Sequence, residues 1–252
     1  MNFPKQFDEP VRPDLITRAV LAIRSKRAAY GANTRAGKEN SSKLSRRRRA
    51  FKTPYGRGVS RVPRKTMTRR GTQMHWVGAR APQTRGGMQA HPPRATKNWE
   101  QAINRKERRK AIRSALAATI DKTWVAKRGH KLPKTYPLIA PDTLEDITKA
   151  KTLAQELSKL GIDEELARAS QTKIRAGRGK SRGRRVVRKR GPLIVVSDTS
   201  KLLKMGNNLP GVDIVAVTRI HAEHLAPGTH PGRMTIYTKK ALSAMEQGGL
   251  YL

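Results

Sequence analysis

The chain has 252 residues, a formal net charge of +37 at pH 7, 36% apolar residues and no cysteine. This charge lies far beyond what solubility requires and is typical of proteins that bind nucleic acids. The composition excludes a disulfide framework and a cysteine-based zinc site, and no apolar window is long enough to predict a membrane span. Because the N-terminus also has no apolar signal region, we expect a cytoplasmic protein of one or two domains.

The first predicted element is a helix from Asp14, its expected N-cap, to about Arg27, with apolar residues on one face. A second helix is predicted to begin at Asn98 or Asn104, each with Gln or Glu three positions later as in a capping box. Gly129 is expected to end it. A long basic stretch lies between these helices, which could therefore hold its two ends.

The stretch Asn40–Trp99 contains sixteen Lys and Arg residues and no Asp or Glu. Gly and Pro recur along it, and its apolar residues follow neither the strand nor the helix period, so we expect no strand or helix to run far. Its like charges would keep it expanded until a polyanion neutralised them. We predict an extended loop that is disordered when free and ordered when bound.

Strand and helix patterns alternate in the rest of the chain. The predicted strands are Tyr136–Ala140, Leu193–Val196, Asp213–Val217 and Met234–Tyr237. The predicted helices are Thr143–Leu160, a short one opened by Asp163, Glu164 and Glu165, and Lys239–Glu246. Continuous apolar strands separated by helices predict an α/β fold with a mostly parallel sheet and helices on both faces.

A second basic segment, Lys173–Arg190, carries ten cations and no acid. Within it, Gly177–Gly183 resembles a phosphate loop but fails the G-x-G-x-x-G spacing, and no strand is predicted before it. We therefore interpret the segment as a flexible, Arg-rich arm that contacts nucleic-acid backbone. The two basic segments together account for 26 of the 37 net positive charges.

The predicted nucleic-acid-binding residues are most of the cations of these two segments and one aromatic residue, Trp76. In the first segment they are Arg46, Arg47, Arg48, Arg49, Lys52, Arg57, Arg61, Arg64, Lys65, Arg69, Arg70, Trp76, Arg80, Arg85, Arg94 and Lys97. In the second they are Lys173, Arg175, Arg178, Lys180, Arg182, Arg184 and Arg185. An aromatic ring in a cationic loop suits stacking of unpaired bases, although Trp76 could instead be buried against the folded part of the chain.

The sequence gives little support for a metal site, a catalytic site or a membrane-binding segment. His221, His224 and His230 do not have the spacing of a helix-borne zinc motif, and we expect surface or hydrogen-bonded histidines. No nucleophile elbow or paired-acid constellation is present. Neither basic segment has an apolar helical face to insert into a membrane. We predict a protein that is not an enzyme and that binds no metal, cofactor or membrane.

Six motifs, in order along nearly the whole chain, resemble the family of large-subunit ribosomal protein four in its archaeal and eukaryotic form. They are Pro10–Ile16, Gly56–Arg64, Gly86–Pro93, Asn104–Arg109 with Ser114–Thr119, Lys173–Lys180 and Leu225–Gly232. The resemblance implies a Rossmann-like body without a nucleotide site, formed by residues 1–39 and 98–252 with a basic extension at about 173–190. Residues 40–97 would be an extended loop that binds ribosomal RNA.

In that family, the loop threads between RNA helices to the wall of the nascent-peptide exit tunnel. By position, Gly56–Arg64 and Gly86–Pro93 would be its two limbs, and its tip would lie roughly between Lys65 and Arg80. The resemblance implies a structural constituent of the large ribosomal subunit that supports its assembly. Its partners would be large-subunit ribosomal RNA, neighbouring ribosomal proteins and, near the loop tip, the nascent peptide.

Two other functions remain open on the residues alone. A free-standing protein that condenses nucleic acids is compatible with the charge, but it would not need a folded body that positions one arm. An RNA-modifying enzyme on a Rossmann-like fold would need a glycine-rich cofactor loop after a strand, and Val196–Ser200 contains no glycine.

Overall fold

The computed structural model describes residues 3–26, 44–45, 48, 54–87, 97–205 and 208–252. The chain divides into two compact units. The first, which we call the body, comprises residues 1–26 and 100–252, and the second, which we call the arm unit, comprises residues 27–99. Each is described separately.

Helices and strands are numbered in chain order. The α-helices are α1 Pro13–Ser25, α2 Arg105–Ile120, α3 Lys122–Lys127, α4 Ala150–Lys159, α5 Asp163–Ser170, α6 Ala222–Leu225 and α7 Lys239–Gln247. The strands are β1 Leu44–Ser45, β2 Arg64–Arg70, β3 Gln73–Gly78, β4 Leu138–Ala140, β5 Thr172–Ile174, β6 Val186–Arg188, β7 Leu193–Val196, β8 Asp213–Ala216 and β9 Thr235–Thr238. Short 3₁₀ helices occur at Lys5–Phe7, Asp142–Asp146, Gly177–Arg182, Lys201–Lys204, Val217–Arg219 and Pro227–Thr229.

The body is built on a four-stranded parallel sheet with the strand order β4-β9-β7-β8. Leu193 of β7 pairs with Asp213 of β8 on one side and with Thr235 of β9 on the other. All four residues of β7 are buried, as expected for an apolar strand covered on both faces. The prediction of a mixed α/β fold with a parallel sheet and helices is confirmed.

Alternate residues of β7 enter two separate apolar cores. Leu193 and Val195 pack in a cluster with residues of α1, α2 and α7. Ile194 and Val196 face the opposite side and pack in a cluster with residues of α4 and the 3₁₀ helix Lys201–Lys204. Because successive strand residues point to opposite faces, this one short strand contributes to both layers.

The beginning of α1 differs from the prediction. The helix starts at Pro13, with Arg12 at the N-cap, so Asp14 lies in the first turn and is not the N-cap. Proline suits the first position of a helix because a backbone N–H there would have no intrahelical partner, so its absence costs no hydrogen bond. Asp14 instead accepts a hydrogen bond of 2.7 Å from the Arg12 guanidinium. The second helix does begin after Asn104, although that side chain makes no capping hydrogen bond.

Two long predicted helices are each interrupted. The helix expected to reach Gly129 ends at Ile120, and Asp121 then caps α3 by accepting the Thr123 N–H at 2.8 Å. The helix expected over Thr143–Leu160 is a 3₁₀ turn followed, after an extended connection, by α4. The first break contains a side chain that competes for backbone N–H groups, and the second lies beside Glu145, which is buried at the strand ends.

The arm unit contains a hairpin that the sequence did not predict. Strands β2 and β3 pair antiparallel from Arg64 with Gly78 to Arg70 with Gln73, with a register shift between Thr66 and Thr68. Gly71, at φ +58°, allows the tight turn between them. Both strands are short and lie between breakers, Pro63 and Gly71 for β2 and Gly71 and Gly78 for β3, as expected, but the sequence did not predict that they would pair.

A buried ionic network connects α5 to two loops of the body. Glu165 of α5 accepts hydrogen bonds from Arg168 (2.6 and 2.7 Å), from His130 (2.7 Å) and from the Lys131 N–H (2.9 Å). Arg168 also donates to the Arg190 carbonyl at 2.7 Å. Burial alone would raise the pKa of Glu165, but hydrogen bonds from Arg168, His130 and Lys131 lower it to about 2. The carboxylate therefore stays ionised.

We predict that Glu165→Gln lowers the free energy of unfolding by about 3 kcal/mol at neutral pH, because the Arg168 guanidinium loses a buried carboxylate and the His130 ring and the Lys131 N–H lose an ionised acceptor. Since the native pKa lies below its ordinary value of 4.5, this stabilisation is complete above that pH and is lost as the pH falls toward 2. Denaturant unfolding at several pH values would show the difference from wild type shrinking in acid. Glu156→Gln, which removes an exposed pair with Lys159, should cost less than about 1 kcal/mol; equal losses would contradict the prediction.

Candidate nucleic-acid interface

The arm unit presents cations next to aromatic rings. The guanidinium carbon of Arg57 lies 5.1 Å from the ring centroid of Trp76. Those of Arg48 and Arg61 lie 4.5 and 4.8 Å from the ring centroid of Tyr55. Trp76 is half-buried on β3. These cation–π contacts hold positive charge beside flat apolar surfaces, an arrangement that suits a polyanion with stacked bases.

Most described cations of the arm unit that we predicted to bind nucleic acid are exposed. The exposed ones are Arg48, Arg57, Arg61, Lys65, Arg69, Arg70, Arg85 and Lys97. Arg64 and Arg80 are half-buried, and Arg64 donates to the Ser60 hydroxyl at 2.9 Å. The predicted residues Arg46, Arg47, Arg49, Lys52 and Arg94 lie outside the described residues. The hairpin tip is braced by Arg69, which donates to the Gly71 carbonyl at 2.8 Å.

The second basic segment forms a hairpin, which the sequence did not predict. Strands β5 and β6 pair antiparallel from Thr172 with Arg188 to Ile174 with Val186. Arg175 closes the loop side by donating from its side chain to the Arg184 carbonyl at 2.9 Å. These strands were not predicted because they have only three residues each and are separated by a run of Gly and Arg.

This hairpin, β5–β6, displays charge without a counterion. The seven predicted cations are all exposed: Lys173, Arg175, Arg178, Lys180, Arg182, Arg184 and Arg185. Across the described ranges, none of them has a carboxylate oxygen within ion-pairing distance. Ile174 and Val186 are exposed beside them, at 58% and 52%. A polyanion would neutralise this surface, and its bases could cover the apolar side chains.

Acidic side chains of the body form ion pairs with cations of the body itself. Asp213 pairs with Arg190 at 3.2 Å and with the buried Arg233 at 2.6 Å. The clustering of these arginines with Arg128 and Arg168 was not predicted, because residues far apart in sequence meet only in the folded body. No local signal could have found it.

The edge of the sheet where α/β proteins bind ligands is filled by Glu145. Its buried carboxylate accepts hydrogen bonds from the Ser197 N–H at 3.0 Å, from the Ser197 hydroxyl and from the Thr238 hydroxyl at 2.5 Å. Ser197 and Thr238 lie at the carboxyl ends of β7 and β9. The side chain thus satisfies the polar groups that a cofactor would otherwise meet there.

Of the three histidines, His230 is exposed, as predicted, whereas His221 and His224 are half-buried. The rings of His221 and His224 stack with their centroids 3.4 Å apart, and in the described part of the chain neither buried Nδ1 has a hydrogen-bond partner. Burial, together with the charges of His221 and Arg233, lowers the pKa of His224 to about 4. Within the same residues, no group of three or more His, Asp or Glu is placed to hold a metal ion.

Taken together, the fold and these surfaces define a mixed α/β protein with two basic, acid-free surfaces that suit a polyanionic partner. No helix among the described residues is both long and apolar enough to span a bilayer. The chain belongs to the Ribosomal protein L4/L1 family, whose sequence pattern matches residues 2–248. The resemblance drawn from the six motifs is therefore confirmed.

Individual relatives align over almost the full chain. The protein is 47% identical to the large ribosomal subunit protein uL4 of Nanoarchaeum equitans, across 100% of this chain and 94% of the relative. It is 43% identical to uL4 of Methanococcoides burtonii, across 99% and 92%, and 41% identical to uL4 of Methanopyrus kandleri, across 98% and 93%. The family is structural and non-enzymatic, in agreement with the prediction that this chain is not an enzyme.

We predict that replacing Lys180, Arg182 and Arg184 together by Ala weakens the salt dependence of binding to poly(U) RNA. Each lost phosphate contact lowers the slope of log K against log salt by about 0.7 on a single strand, so the slope should fall by about 2. The measurement is a fluorescence-anisotropy titration at several salt concentrations.

The matched control replaces Lys149, Lys151 and Lys204, three exposed cations of the body outside the hairpin, and removes the same net charge. Its slope should stay close to that of the wild type. Equal changes in both triple variants would mean that overall charge, and not the β5–β6 hairpin, determines binding.

Proposed function

We propose that this protein is a structural constituent of the large subunit of the cytoplasmic ribosome, where it binds ribosomal RNA and supports subunit assembly. The observation that carries the proposal is the β5–β6 hairpin, whose exposed cations have no carboxylate partner among the described residues. Family membership supports the choice of ribosomal RNA as the polyanion, since the relatives are large-subunit proteins by name. Neighbouring ribosomal proteins are further partners in this proposal.

The finer architecture is part of the same proposal. In it, residues 1–39 and 98–252, which include the body, form a Rossmann-like domain with a basic extension at about 173–190, and residues 40–97 form an extended RNA-binding loop. The parallel sheet β4-β9-β7-β8 supports the first assignment. The division of the chain near residues 26 and 100 supports the second.

The arm unit, in this proposal, reaches the nascent-peptide exit tunnel and forms part of its wall. The β2–β3 hairpin makes up most of the segment proposed as the tip, and its turn lies at Gly71 and Thr72. None of its side chains is fully buried, so a two-stranded ribbon of this kind needs packing from a partner to be stable. RNA and the tunnel wall would supply that packing.

Condensation of nucleic acid by a free-standing protein is the alternative that charge alone supports. Condensation requires positive charge, but it requires neither a buried sheet nor a folded body that positions a basic hairpin. The two functions differ in one measurable respect, because a ribosomal constituent is threaded into one particle, whereas a condensing protein exchanges among all nucleic acids.

The protein is predicted to sediment with the large ribosomal subunit when cell lysate is separated on a sucrose gradient, and to remain there at high salt. Segments enclosed by RNA cannot dissociate by counterion exchange alone, whereas charge-driven adsorption weakens steeply as salt rises. Detection in each fraction with an antibody provides the measurement. Recovery at the top of the gradient, or release at modest salt, would leave a loosely bound nucleic-acid protein in place of the ribosomal constituent.

A photo-crosslinking residue at Thr72 should react with the nascent chain in stalled ribosomes. Thr72 lies at the turn of β2–β3, which is the proposed point of closest approach to the peptide. The measurement is transfer of a labelled nascent chain to this protein on a denaturing gel. The same group at Lys151, an exposed position on α4, should give no crosslink; failure at Thr72 with intact particles would remove tunnel lining from the proposal.

A further inference from the structure

A cleft in the body has the size and charge of a nucleotide site. Its volume is about 780 Å³, within the range of small-molecule sites. Five cations line it and no acid does. They are Lys127 and Arg128 from the end of α3, Arg168 from α5, and Lys189 and Arg190 from the segment that follows β6.

Arg128 is the most unusual of these cations. Its guanidinium donates to the Pro227 carbonyl at 2.6 Å and to the His230 carbonyl. Among the described residues, no carboxylate forms an ion pair with it, whereas Arg168 has Glu165 and Arg190 has Asp213. Burial, together with the charges of Arg233 and Arg168, lowers the pKa of Arg128 to about 10. At neutral pH it therefore remains a cation held beside other cations, and a bound anion would relieve that repulsion.

Trp124 supplies a flat apolar wall to the same cleft. The Lys127 ammonium lies 5.3 Å from the indole centroid. The backbone of Trp124 packs closely against Gly232, at φ +88°, where an added Cβ would lie 2.5 Å from the Trp124 carbonyl oxygen. The indole is half-buried next to an excess of positive charge. An aromatic face beside cations is the arrangement that stacks an unpaired base while its phosphate is neutralised.

We propose that this cleft binds one unpaired nucleotide of RNA, with its phosphate at Arg128 and its base against Trp124. This inference rests on the proposed function, which supplies RNA as the partner. Lys189 and Arg190 directly follow strand β6, so a strand that lies along the β5–β6 hairpin could continue into the cleft. The other sources of the same chemistry are a free mononucleotide and the backbone of a paired helix.

The test uses Trp124 as its own reporter in the full chain. The protein has three tryptophans, and the variant Trp76→Phe/Trp99→Phe leaves only Trp124 to fluoresce. Decaadenylate RNA, AMP and a blunt RNA duplex are each titrated against this variant. Binding of decaadenylate is measured in parallel by anisotropy of a labelled strand. We expect decaadenylate to quench Trp124, because a stacked base quenches indole emission, and we expect much weaker effects from AMP and from the duplex.

Substitutions in the cleft should shift the quenching midpoint. Arg128→Gln removes a charged hydrogen-bond donor and should raise the midpoint roughly 10- to 100-fold. Lys189→Ala, at the exposed rim, should raise it about 2- to 5-fold and leaves the folded body intact. Lys151→Ala on α4 removes the same charge outside the cleft and should leave the midpoint unchanged. Thermal unfolding of each variant shows whether it is folded. If Arg128→Gln is misfolded, the quenching midpoint of Lys189→Ala tests the proposed site instead.

The outcomes separate this inference from the proposed function. If decaadenylate binds but Trp124 is not quenched, or if Lys151→Ala shifts the midpoint as much as Lys189→Ala, the cleft is not the site and RNA binding by the hairpins stands. If AMP quenches at the same midpoint as decaadenylate, the site takes free mononucleotides and the assignment to an RNA strand is wrong. Equal quenching by the duplex would overturn the unpaired base. If the unsubstituted protein binds none of these RNAs, the proposed function itself is contradicted.

Discussion

The separation of positive charge from its counterions is the constraint on which the rest of this structure depends. The stretch Asn40–Trp99 contains no acid, and the β5–β6 hairpin has no carboxylate partner among the described residues. The acids of the body are engaged elsewhere, with Glu165 serving Arg168 and Asp213 serving Arg190 and Arg233. Self-repulsion of the surplus cations opposes compaction, so the basic segments are built as thin ribbons and the apolar cores are confined to the body.

The body's class could be predicted because the strands of its parallel sheet are mostly apolar. Leu193–Val196 reads as a strand buried on both faces, and the structure places its residues in two cores. The order β4-β9-β7-β8 could not be predicted, since no local pattern records which strands pair. The helix breaks at Asp121 and near Glu145 were missed for a related reason. In each, a polar side chain bonds to a partner, Thr123 or the strand ends, that overrides helical periodicity.

The candidate interface was predictable where the sequence itself carries the signal. Acid-free runs of Lys and Arg are visible without any fold, and the exposure of Lys173–Arg185 agrees with that interpretation. The secondary structure within those runs was not visible, because short β-branched pairs such as Ile174 with Val186 are outnumbered by Gly and Arg. The cleft around Arg128 was invisible, since α3, α5 and the segment after β6 bring their cations together only in the folded body.

The basic hairpins have no apolar core of their own, and several weak binding sites joined in one chain do not require one. Each hairpin has few buried side chains, and each exposed cation contributes modestly to affinity when considered alone. Once one site has bound an RNA, the covalent chain raises the effective concentration of the others, so that overall affinity exceeds that of any single contact. The geometry between contacts then selects the RNA, because only an RNA fold that presents phosphates to the β5–β6 hairpin and an unpaired base to Trp124 engages both. In such a system, removal of one residue changes total affinity little but changes the local environment of its own nucleotide strongly. In the proposed function, specificity would therefore depend on the folded body, and affinity on the two basic hairpins.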